Sequence, residues 1–266
     1  MKKKLTKKKF ASQRRTTQRI MSKTIILIPS RLSATRLPNK PLLKINGLSI
    51  IQHVYSRAKE SGIGRVYVAT GDKKIADEIK KINGKCIITK KNHLTGTDRV
   101  FEAYKKIKNK VNCEYIINLQ GDEPFINPLD IVNLNNKIKS RNSDIGTLAS
   151  RITKKTFLDK SIVKVMTEND IIDKKISRAK NFFRYVKLKE VKNIYAHIGI
   201  YQYKTSILKR FINFKQSKNE INNRLEQLRA IENGINIDVV YTKNKSLGID
   251  TIQDYVEIKK IIEYKI

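Results

Sequence analysis

The chain has 266 residues, 39% of them hydrophobic, with 57 Lys and Arg against 24 Asp and Glu, a formal net charge of +33. That length can bury a full core in one α/β domain, and no apolar run approaches the roughly 20 residues that a membrane-spanning helix needs. Cys86 and Cys113 have no metal-like spacing, and His53, His93 and His197 do not cluster. Neither a disulfide scaffold nor a zinc site is readable, and the cysteine usage fits a reducing, cytoplasmic setting.

The positive charge is spread along the chain rather than striped, which bears on solubility and long-range field more than on a site. Clustered Lys and Arg with aromatic platforms would instead signal nucleic acid, and the chain has no Trp. One block is dense: residues 1–20 carry Lys2, Lys3, Lys4, Lys7, Lys8, Lys9, Arg14, Arg15 and Arg19 and no acid. Such a block repels itself, so residues 1–22 are expected to form a disordered basic extension. It lacks the apolar stretch of a secretory signal. Met21, just before the first strand, is an alternative start.

In chain order, residues 24–29 (TIILIP) form a short continuous apolar run, the pattern of a buried parallel strand. A helical period covers 49–61, a strand 65–70 (RVYVAT), a helix 73–82, a strand 85–89, a helix 97–108 and a strand 114–119 (EYIINL). A helix with Pro128 at its start covers 128–139. This βαβαβαβα order predicts a doubly wound parallel sheet with helices on both faces. The second half is less regular. Strands are expected at 146–152, 162–167, 171–177, 194–203 and 236–241, with helices at 205–213 and 222–233. Thr251 and Asp254 have capping-box spacing at the start of a last helix. No internal repeat or linker is evident, so residues 23–266 read as a single domain.

In open α/β sheets, ligands bind beyond the carboxyl ends of the strands. Two of those ends carry chemistry. The loop after the first strand, residues 30–41 (SRLSATRLPNKP), holds three cations and three hydroxyls. Arg offers forked donors to phosphate oxygens and Lys a point charge. The loop is neither a Walker loop nor a GxGxxG turn. Alone, it fits a solvated basic loop as well as a phosphate cradle. The fourth strand runs into Gln120-Gly121-Asp122-Glu123-Pro124, where Asp122 can reach a metal or substrate and Glu123 is expected to point elsewhere. Asp250, between the last strand and last helix, is a further acid. It fits a helix-start residue favoured by the dipole, or a second Mg²⁺ carboxylate.

The segments IPSRLSATRLPNKPL (28–42), ATGD (69–72), TGTDR (95–99), NLQGDEP (118–124), SRA (177–179), HIGIYQY (197–203), LEQLR (225–229) and GIDT (248–251) resemble, in order, those of the 3-deoxy-manno-octulosonate cytidylyltransferase (CMP-Kdo synthetase) family. The resemblance covers nearly everything from Met21 onward. It implies a three-layer α/β/α nucleotide-diphospho-sugar transferase (Rossmann-like) fold with a mixed, mostly parallel central sheet. The implied reaction joins CTP and the sugar acid Kdo to give CMP-Kdo and pyrophosphate. A homodimer, a lipopolysaccharide pathway and a sugar-binding and dimerisation subregion at about 145–230 are implied with it.

Residue by residue, the resemblance assigns Arg31, Arg36 and Lys40 to the triphosphate, and Asp122 and Asp250 to Mg²⁺. Together these five form the catalytic set. The nucleotide site adds Pro29, Ser30, Ser33, Thr95, Gly96, Asp98, Arg99 and Gln120. The sugar site is Gln120, Arg178, His197, Tyr201, Glu226 and Gln227. Ser30 stands where the family commonly has Ala, Asp98 where Glu is more usual, and Lys180-Asn181-Phe182 where Ile-Pro usually follows Ala179. The last departure leaves another sugar acid, such as neuraminate or a modified Kdo, as an alternative substrate. A basic nucleic-acid-binding protein is the alternative of another class.

Overall fold

The computed structural model describes residues 23–33, 36–185, 192–245 and 248–264. The basic extension, residues 1–22, lies outside the described residues, as does most of the stretch before Asn193. The first half alternates as its apolar runs dictate: β1 (Thr24–Pro29), then β2 (Lys44–Ile45) and β3 (Leu48–Ser49), α1 (Ile50–Glu60), β4 (Arg65–Thr70), α2 (Lys73–Lys81), β5 (Cys86–Ile88), α3 (Gly96–Ile107), β6 (Tyr115–Leu119) and α4 (Pro128–Arg141). The second half comprises β7 (Ile145–Arg151), α5 (Lys154–Leu158), β8 (Lys164–Thr167), α6 (Ile171–Lys174), β9 (Ile176–Phe183), β10 (Ile194–Lys204), α7 (Thr205–Ile212), α8 (Lys218–Asn223), α9 (Gln227–Glu232), β11 (Ile237–Thr242) and α10 (Ile252–Tyr264).

Nine strands form one mixed sheet in the order β5-β4-β1-β6-β10-β7-β11-β9-β8. The β5-β4-β1-β6 half is parallel throughout, as its alternation with helices requires, because a parallel crossover needs a helix-sized connection. β10 then runs antiparallel to β6, β7 and β8. Its last residues pair with β6 and its first with β8, so the pairings β7–β10–β8–β9–β11–β7 close into a ring. Two extra residues lie in β10 between Ile198 and Tyr201. Because two are inserted, the in-out alternation survives, and His197, Tyr201 and Tyr203 stay on one face.

All six β1 residues are buried, and its four central side chains divide between two apolar clusters. Ile26 and Ile28 pack with Ile51, Val54, Ile75, Ile79 and Leu134 from α1, α2 and α4. Ile25 and Leu27 pack with Val100, Ala103, Leu208 and Phe211 from α3 and α7. Each such side chain stabilises the fold by about 1.5–3 kcal/mol relative to leaving it in water.

Two expectations fail for local reasons, and one short hairpin goes unpredicted. Residues 171–177 are not one strand. Asp170 caps Ile172 N–H at 2.6 Å, a single helical turn follows, and Lys175 takes a left-handed φ of 63° before β9 begins. Helix 222–233 is broken, because Arg224 adopts φ 53° and separates α8 from α9. The β2–β3 hairpin was legible and passed over: Asn46 and Gly47, with φ 47° and 78°, form the Asn-Gly turn that favours two-residue hairpins.

Candidate active site

The carboxyl ends of β5, β4, β1 and β6 meet at a cleft of about 340 Å³. Two glycines let them close up. A Cβ on Gly71 would sit 2.7 Å from Lys91 Cα, and one on Gly121 would sit 2.8 Å from Pro29 O. The basic loop is pinned where it leaves β1. Ser30 N–H donates to Ala69 O at 3.0 Å, and Leu32 N–H donates to Asp72 Oδ2 at 3.0 Å. Asp72 was not expected to act here; its signal was only its place at the end of β4.

The loop's cations converge on the two expected acids. Lys40 Nζ donates to Asp122 Oδ2 at 2.6 Å, to Ile249 O at 2.7 Å and to Asp250 Oδ1 at 3.2 Å. Arg36 Nη2 meets Asp250 Oδ2 at 3.2 Å. Burial alone would lower the Lys40 pKa, but Asp122 and Asp250 outweigh it and the ammonium is held above its ordinary value. Asp250 is presented by a capped turn, since Asp254 Oδ2 accepts from Asp250 N–H at 2.9 Å and Thr251 N–H at 2.8 Å. Glu123 does point elsewhere, packing towards the positions of Gly199 and Gly248.

Pro29, Ser30, Arg31, Ser33, Arg36 and Lys40 all line the cleft. Thr95, Gly96, Arg99 and Gln120 form its other wall, with Asp122 and Asp250 at the acidic end. Asp98 does not reach this wall. Its carboxylate is turned back as the capping box of α3, accepting from Thr95 N–H at 3.0 Å and Thr95 Oγ1 at 2.8 Å. Arg99 is nearly buried and donates to Thr89 Oγ1 at 2.7 Å and to the Lys90 and Lys91 carbonyls. It therefore braces the loop after β5 instead of offering a free cation. His93, which no motif flagged, also lines the cleft.

The expected sugar residues gather beside this cleft on the β10 face. Phe182, His197, Tyr201 and Tyr203 form a row of rings with centroids 5.3–6.1 Å apart. His197 Nε2 is 2.9 Å from Thr147 Oγ1, and burial pushes the imidazole down to about 3, so it is neutral. Burial likewise holds the Tyr201 phenol far above its ordinary value. Glu226 accepts from Thr95 Oγ1 at 2.9 Å and Thr97 Oγ1 at 3.0 Å, and burial raises its carboxyl to about 7. Thr95 thus belongs to both places, lining the cleft and holding Glu226. Gln120 is the other link, since it lines the cleft and lies 3.5 Å from the Cβ position of Gly199 in β10. Gln227 is nearly buried at the start of α9. Arg178 sits on β9 opposite Asp238, with its Nε buried and without a hydrogen-bond partner among the described residues. It is not part of the cleft wall.

Residues 25–238 match the family model described as cytidylyltransferase. The chain is 42% identical over 249 residues to a 3-deoxy-manno-octulosonate cytidylyltransferase of Thermodesulfovibrio yellowstonii, covering 90% of this chain and 98% of that protein. It is 38% identical to one of Rickettsia prowazekii, covering 90% and 94%. The chain belongs to the 3-deoxy-manno-octulosonate cytidylyltransferase family. A solved CMP:2-keto-3-deoxy-manno-octonic acid synthetase, complexed with CTP, superposes with a TM-score of 0.81 at 33% identity, covering 92% of this chain and all of that one. A UDP-glucose pyrophosphorylase complexed with UDP-glucose shares the fold at 15% identity, with a TM-score of 0.68 over 91% of this chain and 99% of that one. The family match spans the β10 row and every cleft residue named above except Asp250. No helix among the described residues is long and apolar enough to cross a membrane.

Proposed function

We propose that the chain transfers CMP from CTP to the anomeric hydroxyl of Kdo, releasing pyrophosphate and forming CMP-Kdo. Family membership supports the chemistry, and the observation that carries it is Lys40, whose ammonium draws Asp122 and Asp250 together at the end of a basic cleft. The anomeric oxygen bonds to the α-phosphorus, the bond from that phosphorus to the bridging oxygen breaks, and pyrophosphate departs. The residues contribute position and charge. Arg31, Arg36 and Lys40 neutralise triphosphate oxygens as negative charge shifts to the leaving group. Lys40 is held by backbone and side chain, so it is placed before the nucleotide arrives.

The donor set fits Mg²⁺. Two carboxylates already converge on one cation, and Mg²⁺ takes one or two carboxylates with substrate phosphates completing its shell. Asp122 and Asp250 would hold it, and when bound it would supply charge neutralisation at the α-phosphate. His197, Tyr201, Glu226, Gln120 and Gln227 supply the other reactant's site. Imidazole, phenol and a carboxyl kept near neutrality donate and accept towards hydroxyls without drawing in a counter-ion. We further propose a three-layer α/β/α, Rossmann-like arrangement, a cytoplasmic homodimer and a role in lipopolysaccharide synthesis. Arg178, whose buried Nε has no hydrogen-bond partner among the described residues, is the proposed partner of the sugar carboxylate. Pyrophosphate release from CTP, Mg²⁺ and Kdo tests the reaction. A larger rate with neuraminate or another sugar acid would move the assignment to that substrate.

A further inference from the structure

His93, which lines the cleft from the loop after β5, carries a reading of the nucleotide base. Of the two acids proposed to hold Mg²⁺, Asp122 follows β6 and Asp250 precedes α10, whereas His93 lies on the loop after β5, between Lys91, which packs on Gly71 beyond β4, and Gly96, which packs on Pro29 of β1. His93 is thus one to two strand spacings from the end of β6, about 5–10 Å at about 4.8 Å per strand, and lines the same cleft as Arg31, Arg36 and Lys40. The phosphates belong with Arg31, Arg36 and Lys40, so the uncharged base falls against the wall of His93, Thr95, Gly96 and Gln120, where Arg99 is already spent on Thr89 and the Lys90 and Lys91 carbonyls. There a Gly96 Cβ would lie 3.5 Å from Pro29 and 3.6 Å from Gln120.

The tautomer of His93 is set by its partner. His93 Nε2 is 2.6 Å from Glu102 Oε2. Burial would raise the Glu102 carboxyl, but hydrogen bonds from Lys106, Lys90 N–H and His93 outweigh it and hold it below its ordinary value. An ionised carboxylate only accepts, so Nε2 carries the proton. In the neutral ring Nδ1 is then an acceptor, and among the described residues it has no hydrogen-bond partner. Both side chains are nearly enclosed, at 13% and 15% exposure, so the pair is held in place.

We propose that His93 reads the 4-position of the base, with Nδ1 accepting a hydrogen bond from the cytosine amino group and Glu102 fixing the tautomer. Cytosine presents a donor there, where uracil presents a carbonyl acceptor. Two acceptors facing each other leave both unpaired, so the same ring disfavours UTP. The fold alone does not make this choice, since a neighbour with the same fold is complexed with a uridine nucleotide. This inference rests on the cytidylyltransferase reading for the ligand but concerns base choice, not the sugar.

The test is equilibrium binding of CTP and UTP in Mg²⁺ buffer, without sugar, to the whole protein and to His93→Ala and Glu102→Gln. The unmodified protein should prefer CTP. His93→Ala should lose about 10- to 100-fold of that preference, the span of one hydrogen bond left unmade. Glu102→Gln is the sharper probe and keeps the shape. Lys106 Nζ and Lys90 N–H claim its amide oxygen, so its NH₂ faces His93 and donates to Nε2. The ring then carries its proton on Nδ1, and UTP should gain relative to CTP. If His93→Ala does not fold, as judged by thermal melting, Glu102→Gln decides alone. Equal losses for both nucleotides, or an unchanged preference in Glu102→Gln, overturn the proposal. A protein that prefers CTP but releases no pyrophosphate with Kdo sinks the sugar assignment and leaves the base reading standing.

Discussion

The two sides of the candidate site solve opposite electrostatic problems. The cleft at the ends of β1 and β6 is open and built from ion pairs: Asp122 and Asp250 keep 33% and 44% of their side chains exposed and are balanced by Lys40 and Arg36. The β10 side is enclosed, and its groups are driven towards neutrality, with His197 at about 3 and Glu226 at about 7. A triphosphate and its metal need fixed charges, whereas hydroxyl groups on a sugar need donors and acceptors that carry no solvation penalty. Burial thus assigns the chemistry of each side, even though acids occur on both.

Removing charge from the open side should have the largest effect. Asp122→Asn and Asp250→Asn should each lower kcat about 100-fold or more, by analogy with losing one charge-stabilising group, with little change in melting temperature. Near-normal pyrophosphate release in either variant would break the comparison. On the enclosed side, His197→Ala should raise KM for Kdo by about tenfold, the span of one hydrogen bond, while CTP binding stays unchanged. A parallel loss of CTP affinity would mean that the two sides are not separate.

Glu226 gives the comparison a pH signature. Its folded pKa, about 7, lies above the ordinary 4.5. Between these values the folded protein keeps a proton that the unfolded chain releases. The stabilisation is therefore fully present below about pH 4.5 and is lost as the pH rises through 7. With about a quarter of the side chain exposed, this amounts to roughly 1–2 kcal/mol. Glu226→Gln should flatten the melting temperature between pH 5 and 8, whereas the Asp122 and Asp250 variants should not. An unchanged slope in Glu226→Gln would contradict a buried, near-neutral Glu226. The smallest effect is expected from Asp72→Asn, which loosens Leu32 and the basic loop. It should cost about 3- to 10-fold in kcat/KM for CTP, in line with one weakened backbone hydrogen bond, without moving the Kdo KM.

The parallel half was legible because each of its strands is a short apolar run bounded by turns, and each helix has its own period. The ring around β10 was harder to read. Residues 171–177 are apolar enough for a strand, but Asp170 caps a helical turn first, and residues 222–233 look helical until Arg224 turns left-handed. The cations and acids of the cleft were legible from composition and strand-end position, and the β10 row from family resemblance. Asp98 misled because a capping acid and a ligand-facing acid at the start of a helix look alike in one dimension. His93 and Glu102 gave no local pattern, and Asp72 only its place after β4 in the ATGD segment, because their roles come from loops meeting across neighbouring strands.

A CTP-dependent transfer to Kdo would need both sides at once. The most direct measurement is pyrophosphate release by the purified protein with Mg²⁺, in a matrix of the four nucleoside triphosphates against Kdo, neuraminate and related sugar acids. The predicted result is rapid release with CTP and Kdo together, little with CTP alone, and little with the other triphosphates. Release that ignores the sugar acid, or none with CTP and Kdo, would contradict it.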